Sequence, residues 1–138
     1  MPTHSVRKCL DIEWSSLDTG TSLIVYGCNG GNNQGFYLRR SSGNFWFIYA
    51  KHSHKVLDVT HLDSKGRYIS APAGTPVVQR TRLKNTGGQE WEFVPVPSLN
   101  AYWIRNKRSG LVMERRGGSL ADWTKIQVNT KQNKERQY

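Results

Sequence analysis

A chain of 138 residues with 20 lysine and arginine against 10 aspartate and glutamate carries a net charge of +10 and a pI near 10.0. That length holds one hydrophobic core, and 36% hydrophobic content with 5 Trp, 6 Tyr and 4 Phe is enough to fill it, which excludes a disordered polymer. No apolar run approaches the roughly 18 residues of a membrane-spanning helix, and Met1-Pro2-Thr3-His4-Ser5 lacks the apolar segment of a signal peptide.

In chain order the local pattern is β throughout. Cys9-Leu10-Asp11-Ile12 opens a first segment, an apolar run at 23–26 follows, and Asn33-Gln34-Gly35-Phe36-Tyr37-Leu38 closes it with an alternating strand. A second segment has strands at 45–49, 56–59, 76–79 and 91–94. It repeats the signposts of the first: Leu57-Asp58-Val59 answers Leu10-Asp11-Ile12, and Gly88-Gln89-Glu90-Trp91 answers the Gln-x-aromatic phrase. Asp11 and Asp58 are 47 residues apart, and Gln34 and Gln89 are 55 apart. A worn third copy has strands at 102–104 and 126–128, Met113-Glu114-Arg115 in the Leu-Asp slot and Arg136-Gln137-Tyr138 at the end. Such self-similarity predicts a repeat architecture with units at about 1–44, 45–99 and 100–138 in a single domain.

Gly, Asn, Ser and Pro clusters separate the strands, and no window sustains an apolar face at helical spacing, so helix is confined to short turns in loops. Three units of about four strands predict an all-β barrel with threefold pseudosymmetry. Closure leaves few exposed strand edges.

Chemistry-bearing motifs are few. There is no Gly-x-Ser-x-Gly, no phosphate-binding Gly-x-x-x-x-Gly-Lys-Ser/Thr and no His-Glu-x-x-His, so the reading is a non-enzymatic module that needs no cofactor. His52 and His54 alternate on an expected strand, but no third ligand is in view and no metal site is assigned. Gly30-Gly31 and Gly117-Gly118 read as turns.

Together, Cys9-Leu10-Asp11, Val25-Tyr26-Gly27-Cys28 and Asn33-Gln34-Gly35-Phe36 resemble one repeat of the ricin B-type β-trefoil lectins, whose hallmark is Gln-x-Trp. The resemblance covers the whole chain, strongest in the first unit and weakest in the third. It implies a β-trefoil and a disulfide between Cys9 and Cys28, and through the disulfide a secreted or extracellular protein. The residues alone leave a second reading, two separate buried thiols.

The resemblance also implies a shallow sugar pocket in each repeat, made of an Asp after the early strand, an aromatic on the later strand and an amide before the core Gln. A carboxylate accepts hydrogen bonds from vicinal hydroxyls, an aromatic face covers the C–H side of a pyranose, and an amide donates and accepts. By position the first repeat offers Asp11, Tyr26 and Asn33, with Gln34 behind them; Ile24 stands where many relatives have Gln. Each has a plainer reading: Asp11 as a turn former, Tyr26 as core, and Gln34 with Phe36, Gln89 and Trp91 as framework. In the second repeat Asp58 persists and Gln79 is a further candidate, but Arg80 replaces the aromatic and Gly88 the Asn. In the third, Glu114 replaces Asp, Val128 the aromatic, and Glu135-Arg136 the Asn-Gln pair, leaving Trp123 as a rescue. The implied partner is a glycan, galactose-type by family default.

Charge supports a rival. Lys51, Lys55, Arg80, Arg82, Lys84, Lys107, Arg108, Arg115 and Arg116 would favour sulfated or sialylated glycans or another polyanion. Nucleic acid is disfavoured because the aromatics fall mainly at core-facing strand positions. A protease-inhibitor or other protein-interaction trefoil is a further alternative. Both ends lack strands that the repeat pattern expects, which reads as a fragment of a larger protein, the alternative being a barrel closed by shortened first and last strands; a single shallow site would need clustering or an oligomer for avidity.

Overall fold

The structure is a computed structural model that describes residues 7–132 and 134–137. Tyr138, expected as the last aromatic of the repeat phrase, lies outside the described residues. Twelve short strands and four 3-10 turns are present among the described residues, and there is no α-helix. The first repeat holds β1 (Lys8–Ile12), β2 (Leu23–Gly27) and β3 (Phe36–Arg40). The second holds β4 (Trp46–Ala50), β5 (Val56–Asp58), β6 (His61–Leu62), β7 (Tyr68–Ile69), β8 (Val78–Arg80) and β9 (Trp91–Pro95). The third holds β10 (Tyr102–Asn106), β11 (Val112–Arg115) and β12 (Ile126–Asn129).

Within each repeat an early strand pairs antiparallel with a later one: β1 with β2, β5 with β8, β11 with β12. The repeats are joined by β3 pairing with β4 and β9 with β10. This is the β-trefoil arrangement, and its threefold character shows in the backbone. Gly20 N–H donates to Gln79 O (2.8 Å), Gly74 N–H to Val128 O (2.7 Å) and Trp123 N–H to Val25 O (2.9 Å), so each repeat grips the next in a closed ring. The three grips precede Thr21, Thr75 and Thr124, whose hydroxyls each donate to a carbonyl three residues back.

Alternation in the strands turns Ile12, Leu23, Val25, Leu57, Val77, Met113, Ile126 and Val128 into one core, with Trp91 fully buried among them. Trp91 also satisfies its indole N–H on Leu57 O at 3.0 Å, so the aromatic of the second Gln-x-Trp phrase is architectural.

Cys9 and Cys28 are joined as a disulfide (Cα–Cα 5.2 Å) across the β1–β2 pair. Closing a loop with a sequence separation of 19 stabilises the fold by about 3 kcal/mol in the chain-entropy model. Reduction with dithiothreitol is therefore expected to lower the urea midpoint by an equivalent amount, and an unchanged midpoint would refute that contribution.

Two local expectations differ. The β6–β7 hairpin comes from His61-Leu62 and Tyr68-Ile69, too short for alternation to reveal. His52 and His54 lie in the turn after β4, not on a strand, and His54 has a φ of 59°. His52 Nε2 is 2.7 Å from Ser16 O, and His54 Nδ1 is 3.1 Å from the Tyr37 hydroxyl, so the two point to different partners.

Candidate functional site

The β1–β2 register sets Asp11 opposite Ile24 near the end of the pair, and the 3-10 turn at Asn32–Gln34 folds back against it. Asp11 is only 3% exposed. Its Oδ1 accepts from Asn33 Nδ2 at 3.0 Å and its Oδ2 from Gln34 Nε2 at 2.8 Å. Asn33 Nδ2 also donates to Ile12 O at 3.1 Å. Gln34 is fully engaged: its amide nitrogen reaches Gly27 O at 3.0 Å, and its oxygen accepts from Asn29 N–H at 2.8 Å. Gln34, the candidate expected behind the three sugar contacts, locks the carboxylate and the loop in its framework role.

Asp11, Tyr26 and Asn33 do converge. They line a cavity of about 250 Å³ together with Trp14, Ser15, Asn29 and Trp123. Gly31 leaves room for the Asn33 side chain, since a Cβ there would sit 2.7 Å from Asn33 Oδ1. Burial, the strongest influence on Asp11, pushes its carboxyl above the ordinary value of 3.8, with a smaller push from Asp122, against the bonds from Gln34 and Asn33 and the charge of His52. A carboxyl raised in the fold binds its proton more tightly there than in the unfolded chain. Its ionisation therefore removes stability as pH climbs from 3.8 through the folded value.

Trp14 and Trp123 enlarge the site beyond the set expected from sequence. Trp14 is 78% exposed and Trp123 40% exposed. Their ring centroids are 4.7 Å apart, and Trp123 meets Tyr26 edge-on at 5.1 Å. Trp123 was considered a rescue for the third repeat; its bond to Val25 O carries it into the first repeat's pocket.

The corresponding place in the second repeat is filled by the protein itself. Asp58 is 0% exposed, accepts from Gln89 Nε2 at 2.8 Å and from Thr60 N–H, and has Arg80 Nε 3.1 Å from Oδ2 in an ion pair that forms no hydrogen bond. Gly88, the counterpart of Asn33, faces the Thr60 backbone so closely that a Cβ would lie 2.6 Å from Thr60 Cα. Gln79 is 0% exposed, donates to Ser16 O (2.8 Å) and Asp18 O (2.9 Å), and accepts from Ser53 (2.8 Å). As second-repeat site candidates, Asp58 and Gln79 are thus both withdrawn into internal bonds.

The third repeat's register needs correction. The core-Gln role belongs to Gln137, whose amide donates to Glu114 Oε1 at 3.2 Å and Thr130 O at 2.8 Å, so Arg136 takes the Asn33 position rather than Glu135. The β11–β12 pairing sets Glu114 opposite Gln127, which moves the aromatic's place from Val128 to Asn129. Burial raises the Glu114 carboxyl most, yet the bonds from Gln127, Gln137 and Asn129 and the charge of Arg136 together hold it below 4.5. Gln127 and Asn129 donate to Glu114 Oε2 at 2.7 and 3.0 Å. The longer Glu reaches a framework amide trio and offers little to a ligand.

Three comparisons bear on this geometry. The ricin-type beta-trefoil lectin domain model matches residues 3–138. The fold is similar to that of the designed threefold-symmetric protein ThreeFoil, with a TM-score of 0.78, 24% identity and coverage of 94% of this chain and 86% of that one. It is similar to the Macrolepiota procera ricin B-like lectin in complex with lactose, with a TM-score of 0.73, 17% identity and coverage of 99% and 95%. It is similar, too, to an exo-beta-1,3-galactanase from Clostridium thermocellum, with a TM-score of 0.79 and 23% identity; all of this chain but 1% is covered, yet it spans only 30% of that one. No match to a curated protein sequence was found. At these identities the structural likeness is one of fold.

Proposed function

The chain belongs to the ricin-type β-trefoil lectin domain family, and from that footing we propose that it binds neutral glycans through one pocket, that of Asp11, Tyr26 and Asn33 in the first repeat. A carbohydrate-binding role follows from the family. The observation that carries the location is the contrast among repeats: Asp11 borders a cavity with Tyr26, Trp14 and Trp123, Asp58 is paired with Gln89 and Arg80, and Glu114, which also borders a cavity, is held by three amides. Asp11, held by two amides, would accept from sugar hydroxyls; Tyr26 and Trp123 would cover the ring's C–H face; Asn33, whose amide nitrogen is taken by Asp11 and Ile12 O, would offer its oxygen. This is a non-catalytic binding module. A galactose-type ligand is the family default, and secretion accords with the disulfide and with the family's extracellular habit.

Because the ionised carboxylate is the acceptor, binding should weaken as pH falls through Asp11's raised pKa, that is, at a pH above 3.8. Titration calorimetry between pH 7 and 3 checks this; affinity that is flat until well below 3.8 would contradict it.

One observation favours a second surface. Arg40 stacks on Trp46 (4.6 Å), Arg82 on Phe47 (4.2 Å) and Lys107 on Phe45 (5.2 Å), placing three cations around consecutive aromatics at the start of β4. This supports polyanion binding as a separate reading. A glycan array probed at low and high salt tests both: the lectin reading expects salt-insensitive binding to neutral glycans, and binding confined to sulfated glycans and lost in salt would replace it.

A further inference from the structure

We propose that Trp14 and Trp123 form an aromatic shelf that receives the second sugar ring of a neutral oligosaccharide whose first ring sits over Asp11 and Tyr26; this rests on the pocket assignment above. Two independent positions carry the proposal. Trp123 lies where the other repeats have Gly20 and Gly74: all three donate their N–H to the neighbouring repeat, all three precede Thr, and their φ values are 74°, 94° and 91°. Trp14 lies in a 3-10 turn at Glu13–Ser15 matched in the third repeat by Arg116–Gly118, where its counterpart is Gly117. The φ values there are 59° for Trp14 and 63° for Gly117. In both turns the backbone is left-handed, which glycine adopts freely and a bulky side chain adopts only against steric resistance.

Framework demands therefore favour glycine at both places, and the chain carries its two most exposed tryptophans there. The turns come from different repeats, yet they bring the indoles to 4.7 Å at the mouth of one cavity. Strain retained at a cavity mouth by large apolar side chains that stay exposed, Trp14 most of all, points to ligand contact beyond packing. The run Tyr26, Trp123, Trp14, with successive centroids at 5.1 and 4.7 Å, is longer than one pyranose needs. Beyond Asp11, Tyr26 and Asn33, the lining of this cavity adds only Ser15 and Asn29 to the two indoles, so the shelf offers a stacking face with sparse hydrogen bonding. Such a surface suits a neutral, ring-faced ligand and adds affinity without strict linkage specificity.

The test is calorimetry with free galactose, N-acetylgalactosamine, glucose and mannose, and with lactose, N-acetyllactosamine, cellobiose and mannobiose, comparing the tightest monosaccharide with the tightest disaccharide that ends in it. The unaltered protein is expected to bind the disaccharide about tenfold more tightly. Trp14→Gly, which the turn accepts without strain, should erase that gain, weakening the disaccharide several-fold more than the monosaccharide, and not lower Tm. Trp14→Phe should restore part of the gain. Trp123→Gly should weaken both sugars, since Trp123 also faces Tyr26. Disaccharide affinity untouched by Trp14→Gly, or mono- and disaccharide weakened by one common factor, overturns the shelf while leaving the pocket standing. No binding of any of these sugars by the unaltered protein overturns pocket and shelf together.

Discussion

Asp11→Ala is expected to abolish measurable binding to neutral glycans and to lower stability by about 1–3 kcal/mol. Loss of binding follows from removing the cavity's carboxylate acceptor, against which the amides of Asn33 and Gln34 are aligned. The stability cost arises because the carboxylate is buried. Its removal leaves two amide nitrogens short of an acceptor, although each keeps a backbone carbonyl, Ile12 O or Gly27 O. Urea unfolding paired with a glycan array separates the two effects. Tyr26→Ala, which leaves that hydrogen-bonded cluster intact, should weaken binding about tenfold with little change in the urea midpoint. Glycan binding that survives Asp11→Ala would remove the carboxylate from the site.

Asp58→Ala, the same substitution in the second repeat, is expected to behave in the opposite way, with binding unchanged and stability down by about 2–4 kcal/mol. Asp58 is fully buried and serves Gln89, Thr60 and Arg80 together. Truncation takes the carboxylate acceptor from Gln89, whose amide keeps Thr81 O at 3.1 Å, and the counter-charge from an arginine whose side chain is only 38% exposed. The partial exposure of Arg80 keeps the cost below that of a fully buried broken pair. Denaturant unfolding gives the first quantity and the array the second; weakened glycan binding in a folded Asp58→Ala protein would mean that the second repeat carries a working site.

The difference between these aspartates was legible in outline before the fold was known. Arg80 and Gly88 stood in place of an aromatic and an amide, and those exchanges are what close the second pocket: Arg80 pairs with the carboxylate, and the Thr60 backbone claims the space beside Gly88. Strand alternation and the repeated Gln-x-aromatic phrase carried the trefoil and the register of the first repeat, because each strand has one face to bury. Register failed by one residue in the third repeat for the aromatic and the core Gln, although Glu114 was placed in the Asp slot; no Gln-x-aromatic phrase follows Gln137 to mark it.

The tryptophans were the larger omission. Trp14 and Trp123 sit in turns, where hydrophobic periodicity says nothing and backbone conformation decides placement. A signal was present in Trp123-Thr124-Lys125-Ile126, which aligns with Gly20-Thr21-Ser22-Leu23 and Gly74-Thr75-Pro76-Val77. A tryptophan in a repeated glycine position marks a departure from the framework. Only the inter-repeat hydrogen bonds, which bring Trp123 to Val25, show which repeat it serves.

The five indole N–H resonances offer the most direct test of a single first-repeat site. On titration with the neutral glycan that binds best on the array, Trp14 and Trp123 should shift in proportion to occupancy, while Trp46, Trp91 and Trp103 stay in place, since the last two are buried and none of the three lines the cavity. Saturable binding that shifts Trp46 or Trp103 and leaves Trp14 and Trp123 unmoved would put the glycan elsewhere and contradict the assignment.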